Sequence, residues 1–333
     1  MRSNRRSFLT NVAGAAATVA GVEVLRGGTG SAPTAFAAAP RAFSAGHFAL
    51  ELERQMAGFV RSAEGGHAAA DVVEEFEGES CTTQKHLGQL RYEDIAVSFG
   101  TGMSSAFYEW LQTVFQCQVA HRSGALLSVD FNYTEVARLD FVNALITEIG
   151  FPALDAASKD AAAMTVAFAV ESTQRQKGTG NTLKLCAKGP AVQKKWLASN
   201  FRLKIDGLDC SKVTKIDAFT IKQGFSPERE SGRLEIPNLA VTLPESAAES
   251  FVDWHEDFLI NGNNSSEGEK KGTLEYLTPN LAQTLFTVEL QGLGIFKLAP
   301  ERVEAGSEQI RRVKAEMYCE AMTFNFASIA TGC

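Results

Sequence analysis

Motifs that carry chemistry are scarce in this sequence. There is no Gly-x-Ser-x-Gly elbow and no phosphate loop, which removes the simplest routes to acyl transfer and nucleotide hydrolysis. Only five histidines occur, His47, His67, His86, His121 and His255, and none belongs to a His-Glu-x-x-His helix or sits at ligand spacing from a cysteine pair. The six cysteines, at 81, 117, 186, 210, 319 and 333, include no Cys-x-x-Cys and show no regular spacing. In an oxidising compartment they could pair, but the spacing selects no pairing. A chain of 333 residues can bury large cores without such staples, so buried or free thiols are expected. Basic residues are also in deficit: 32 Lys and Arg against 39 Asp and Glu give a formal charge of -7. Without a sustained Lys/Arg stripe the chain is poorly suited to gripping a phosphate backbone, and no specific nucleic-acid partner is expected.

The partial motifs that do occur have plainer readings. "GTGMSS" (100–105) lacks the third glycine and the lysine of a phosphate cradle, so its glycines read as a strand-to-helix turn. "VVEEFEGES" (72–80) and "VDWHEDF" (252–258) supply the carboxylates that a glycosidase requires, yet short acidic runs of this kind read as solvated faces. His255 reads as a partly buried core histidine. No nucleophile, base and orienting group assemble, so no catalytic residue, cofactor or metal site is expected.

Residues 1–37 read as an address. "SNRRSFLTNVAGAAATVAGVEVL" sets Arg5-Arg6 ahead of Phe8-Leu9 and a weakly apolar Ala/Val stretch. That is the pattern of a twin-arginine export signal, and "AFA" (35–37) offers small residues for cleavage between Ala37 and Ala38. An uncleaved anchor is the alternative, but Glu23 and Arg26 interrupt the run well short of the roughly 20 residues a spanning helix needs. The expectation is a chain that folds before export, resides in the periplasm or outside the cell, and has no membrane span once the signal is gone. Losing 1–37 removes four Arg and one Glu and takes the charge from -7 to -10.

What the sequence does contain is an internal echo. "SSAFYEWLQTVF" (104–115) returns as "AESFVDWHEDFL" (248–259), a shift of 144. "IAVSF" (95–99) answers "LAVTL" (239–243) at the same shift, and "RSGALLSV" (122–129) answers "KKGTLEYL" (270–277) at 148. "FALEL" (48–52) and "FRLKI" (201–205) alternate as half-buried strands. "ITEIGFPAL" (146–154) aligns with "VELQGLGIFKL" (288–298) through Gly150 and Gly294, and each half closes on another alternating run, Met164-Val166-Phe168-Val170 and Val313-Ala315-Met317-Cys319. Order and spacing together indicate a tandem duplication, with modules at 44–171 and 200–327 joined by a linker at 172–199. One helix per module cannot supply parallel crossovers, so the sheets should be mainly antiparallel, a β-sandwich or barrel flanked by the helix.

In the first helix Phe107, Trp110, Leu111, Val114 and Phe115 form one stripe; Phe251, Trp254, His255, Phe258 and Leu259 repeat it. Aromatic and aliphatic positions share a face, so Phe107, Trp110, Phe115, Phe251, Trp254 and Phe258 are expected to pack on their own module's sheet. Pro244-Glu245-Ser246 suits the start of the second helix.

The run "KHLGQLRYEDIAVSFGTGMSSAFYEWLQTVF" (85–115), the basic-Gly turn Arg122-Ser-Gly124, "FVNALITEIGFPALDAASKD" (141–160) and "NFRLKIDGLDCSKVTKIDAF" (200–219) resemble the tail-tube proteins of contractile phages and related injection machines. The resemblance covers nearly all of 44–327 as two tandem copies. It implies a mainly β module with one helix, six modules to a ring and rings stacked into a tube whose lumen is lined by strands. Two modules per chain then imply a homo-oligomer, three chains to a pseudo-hexameric ring, with other tail-like or envelope proteins as partners. The acidity suits a lumen that repels polyanions. Two features depart from the family: the export signal, and Pro-Glu in place of Gly-Gly before the second helix. A non-enzymatic structural subunit of an exported ring or tube is the leading reading. The alternative is an exported monomeric binding protein that grips a glycan or surface partner through its loops.

Overall fold

The computed structural model describes residues 46–75, 83–183, 196–224, 233–302 and 310–326. The signal residues Arg5, Arg6, Phe8 and Leu9 and the cleavage pair Ala37 and Ala38 lie outside the described residues. The first half runs β1 (His47–Leu52), β2 (Gln55–Val60), β3 (Ser62–Gly65), β4 (Ala68–Glu75), β5 (Gln84–Tyr92) and β6 (Ile95–Phe99) into α1 (Ser105–Phe115). It continues through β7 (Arg122–Val129), β8 (Glu135–Phe151), β9 (Leu154–Asp155), β10 (Met164–Ala169) and β11 (Ser172–Lys177). The second half runs β12 (Phe201–Ile205), β13 (Lys215–Ile216), β14 (Phe219–Gly224), β15 (Arg233–Glu235) and β16 (Leu239–Pro244) into α2 (Glu249–His255), which continues as a π-helical turn (Glu256–Ile260). β17 (Lys270–Leu277), β18 (Thr284–Pro300) and β19 (Arg312–Phe326) follow.

The fold is mainly β, and every strand pair among the described residues is antiparallel. One sheet follows the path β2-β1-β7-β8-β10-β6-β3, with β11 and β14 also on β8 and β15 on β14; the other follows β12-β17-β18-β19-β16-β13-β9. β4 and β5 form a separate hairpin.

Pairing registers recur between the halves at constant offsets. Phe48 lies opposite Ser128 and Phe201 opposite Tyr276, offsets of 153 and 148. Ala63 opposite Val97 and Ala69 opposite Arg91 become Ile216 opposite Val241 and Lys222 opposite Glu235, offsets of 153 and 144. Phe141 opposite Thr173 becomes Leu290 opposite Met322, 149 on both strands. This register corrects the glycine alignment read from sequence. At an offset of 149 Gly150 corresponds to Ala299, and Gly292 corresponds to Asn143. The reason is a shared bulge: Asn143 (φ 51°) and Gly292 (φ 62°) are both left-handed at the point where the β7–β8 and β17–β18 ladders slip. Glycine and asparagine tolerate that backbone region best. Gly292 marks that kink, whereas Gly294, which the sequence reading set against Gly150, corresponds to Leu145 at this offset.

The halves also exchange strands. β14 extends the first half's sheet along β8, with Phe219 opposite Phe151 and Ile221 opposite Ile149. In return β9 adds to the second half's sheet, with Ile216 opposite Leu154. Each added strand satisfies backbone groups that an open edge would leave to water. The stretch 172–199, read as a linker, opens as β11, which pairs along β8 from Ser172 to Lys177. One continuous apolar core runs through both halves, from Leu50 and Trp110 to Trp254 and Phe324.

Candidate functional site

The helices show how the local sequence sets up the packing. Ser104 caps α1, its Oγ accepting from Phe107 N at 3.3 Å. Phe107 and Trp110 are buried; Phe107 meets Phe99 edge-on at 4.8 Å and Trp110 leans on Phe168 at 5.6 Å. Trp110 Nε1 donates to Ala120 O at 2.8 Å, and Trp254 Nε1 donates to Gly268 O at 3.4 Å, the corresponding carbonyl. The second helix lacks a side-chain cap; a 3-10 turn at Glu245–Ala247 leads into it from Pro244. Phe251, Trp254 and Phe258 are buried, and His255 is half-buried. Leu259, expected on the apolar stripe, is 45 % exposed. The π-helical turn around it is wider than an α-turn and carries Leu259 off the stripe.

α1 does not pack only on its own half, as the sequence suggested. Phe115 is half-buried against Phe324 of β19 (5.6 Å, stacked), and Tyr108 stacks on Phe326 at 3.7 Å. Gln112 Nε2 donates to Phe324 O at 3.4 Å between them. Beneath this contact Phe151 stacks on Phe219 at 4.7 Å and meets Tyr276 and Phe324 at 6.1 and 6.3 Å. Trp196 closes the joint against Tyr276 and Phe286. The stacking residues at 324 and 326 carry no helical or motif signal of their own, and although Phe151 and Phe219 lie in the segments 141–160 and 200–219, nothing in those segments marks them as stacking partners.

Polar clusters are structural in form. Arg138 on β8 bridges Glu51 of β1, Asp140 (2.6 Å) and buried Glu135 (3.7 Å). Desolvation works against its charge, but hydrogen bonds to Asp140 and Glu51 outweigh it and hold the guanidinium's pKa above its ordinary value. The cluster pins β1 to β8. No group of three or more His, Cys, Asp or Glu among the described residues could hold a metal ion. His47 stacks on Tyr133 at 4.8 Å, His86 faces Glu75, His121 Nδ1 lies 3.3 Å from Asn143 O, and His67 is exposed. A groove of about 560 Å³ runs beside β12, lined by Phe201, Leu203, Ile205, Leu208, Cys210 and Val213 among others. No helix among the described residues is long and apolar enough to cross a membrane.

Cys117, Cys210 and Cys319 are unpaired. Burial pushes the Cys210 thiol up to about 11 and raises Cys319 as well, whereas Cys117 is exposed. Held at about 11, the Cys210 thiol carries roughly a hundredfold less thiolate at neutral pH than an ordinary cysteine. Iodoacetamide on the native protein is therefore expected to alkylate Cys117 and spare Cys210 and Cys319, as read by peptide mass mapping. Equal labelling of Cys210 and Cys117 contradicts this burial.

Residues 44–174 match the family of the T4-like virus tail tube protein gp19. No curated protein matches the chain. Among solved structures, the anti-feeding prophage cap (AFP tube terminating cap) is similar at 20 % identity over 44 % of this chain and 98 % of that one, with a TM-score of 0.38. The sheath/tube terminator of an extracellular contractile injection system (PVC) is similar at 20 % identity over 42 % and 99 %, TM-score 0.37. The sheath-tube complex of that system gives 20 % over 39 % and 88 %, TM-score 0.34. Each of these likenesses covers less than half of this chain.

Proposed function

We propose that this chain is a non-catalytic structural subunit made of two tail-tube-type modules in tandem, 44–171 and 200–327. Three chains form a pseudo-hexameric ring, and rings stack into a tube. The observation that carries this reading is the recurrence of strand registers. Residues 44–174 match the tail-tube family, and the second half repeats the pairings of that stretch at offsets of 153, 144, 148 and 149. A fold that assembles through repeated modules keeps its registers after its sequence has drifted, because register decides which face is buried. The twin-arginine pattern at 1–37 supports export to the periplasm or beyond, and tail-like or envelope proteins fit as further partners.

Negative-stain microscopy and light scattering of the purified protein test the proposal. Rings with pseudo-sixfold symmetry and the mass of three chains, alone or stacked, are expected. Monomers at every concentration and salt would overturn it. A second reading, a monomeric exported protein that binds a glycan or surface partner, draws on the groove beside β12. It predicts a melting shift with ligand and no assembly.

A further inference from the structure

The joint inside the chain leaves its counterpart unmade at the ends. In the chain, α1 of the first half covers β19 of the second through Tyr108, Gln112 and Phe115 on Phe324 and Phe326. The helix offset of 144 carries those three positions to Val252, Glu256 and Leu259. Val252 and Glu256, at i and i+4, share one face of α2, Leu259 follows in the π-turn, and all three are exposed: Val252 and Leu259 each at 45 %, with Ile260 beside them at 69 %. The strand offset of 149 carries Phe324 and Phe326 back to Arg175 and Lys177 of β11, also exposed and without an ion-pair partner among the described residues. Their neighbour Leu139, opposite Arg175, is only partly buried.

We propose that a second copy of this chain docks head-to-tail on this surface, with α2 of one copy lying over β11 of the next as α1 lies over β19 within the chain. The proposal rests on the ring reading and names the contact that would build the ring. Charge supports it. Within the chain the contact is apolar and neutral, Gln112 between two stacked aromatic pairs. At the unmade copy both sides have changed together. Gln112 corresponds to Glu256, with Asp253 and Asp257 close by on the same helix, while the two phenylalanines correspond to Arg175 and Lys177. Val252 and Leu259 would cover the aliphatic stems of Arg175 and Lys177, and Glu256 would meet their heads. The exchange also keeps the two contacts apart, because an acidic α2 gains nothing from the apolar end of β19.

A second feature is left half-made in the same way. β8 residues 148–151 carry β14 alongside, whereas among the described residues the corresponding β18 residues 297–300 pair only with β19. The hairpin β4–β5, which corresponds to β14–β15, pairs with no other strand among the described residues and exposes Val72, Leu87 and Leu90. The chain thus presents unlike open surfaces in its two halves, the arrangement of a heterologous interface that closes into a ring.

The test uses the full chain and charge reversal. Glu256→Lys, the pair Arg175→Glu with Lys177→Glu, and all three together are compared with wild type by sedimentation velocity, with circular dichroism melts as folding controls. Each reversal alone is expected to weaken assembly at least tenfold in apparent dissociation constant, and the combined variant to recover to within about threefold of wild type. Leu259→Asp, which no charge swap rescues, is expected to dissociate the assembly. Reversals that assemble like wild type, or a combined variant no better than the single ones, overturn this interface while the ring reading stands. A wild-type chain that never assembles overturns both.

Discussion

Replacing Trp110 by alanine is expected to lower the unfolding free energy by about 3–5 kcal/mol, read from urea titrations. The side chain is 1 % exposed and lies between Phe107 and Phe168. Burying an indole removes roughly 150–250 Å² of surface from water, about 4–6 kcal/mol at about 25 cal/mol per Å², of which the alanine methyl keeps a part. The 2.8 Å bond from Nε1 also satisfies Ala120 O on the way into β7, and alanine leaves that carbonyl without its partner. Trp110→Phe separates the contributions: it keeps most of the apolar volume and is expected to cost about 1–2 kcal/mol. Trp254→Ala should cost less than Trp110→Ala. Its indole is 6 % exposed, its hydrogen bond is 3.4 Å long, and Lys270 Nζ lies over the ring, 5.4 Å from its centroid. A Trp110→Ala protein that unfolds at the wild-type midpoint refutes the assignment of this helix as the packing element of the first half.

The helices and alternating strands were legible because their signals are local. Phe107, Trp110 and Val114 share a face through the helical period alone; "IAVSF" alternates with burial throughout, and "LAVTL" does so as far as Val241, with Thr242 buried as well. The offsets of 144 and 148 were legible for the same reason, since both flank those strong signals. What the sequence could not yield was any feature that depends on a kink or on the partner strand. A left-handed residue at Asn143 or Gly292 shifts the ladder without changing hydrophobicity, so the offset of 149 in β8 became visible only from the pairing. The widening of α2 into a π-turn has no periodic signature either, and it moved Leu259 from the expected core to the surface. Strand exchange is the most distant feature. Nothing in "FTIKQG" distinguishes a strand that pairs with its own half from one that pairs with β8 across more than sixty residues of chain.

That exchange sets the second large effect. Phe151 ends β8 at the meeting point of the halves, stacked on Phe219 and tilted against Tyr276 and Phe324. With β14 paired to β8 and β9 paired to β13, the halves share hydrogen bonds as well as core, so the wild-type chain is expected to unfold in a single transition despite its repeated plan. Phe151→Ala should cost about 3–5 kcal/mol by the usual large-to-small arithmetic. It should also do something that Trp110→Ala does not. Trp110 stabilises one half from within, so its loss lowers the whole transition; Phe151 couples the halves, so its loss should split the transition. The tryptophans make this measurable, because Trp110 lies in the first half and Trp254 in the second. Single-tryptophan proteins with the other positions as Phe, followed by fluorescence through urea unfolding, should give coincident midpoints with Phe151 present and separated midpoints with alanine there. Coincident curves in the Phe151→Ala background would mean that the exchanged strands alone hold the halves together. The aromatic joint would then be packing without coupling, and the cross-half role assigned to Phe151 would fall.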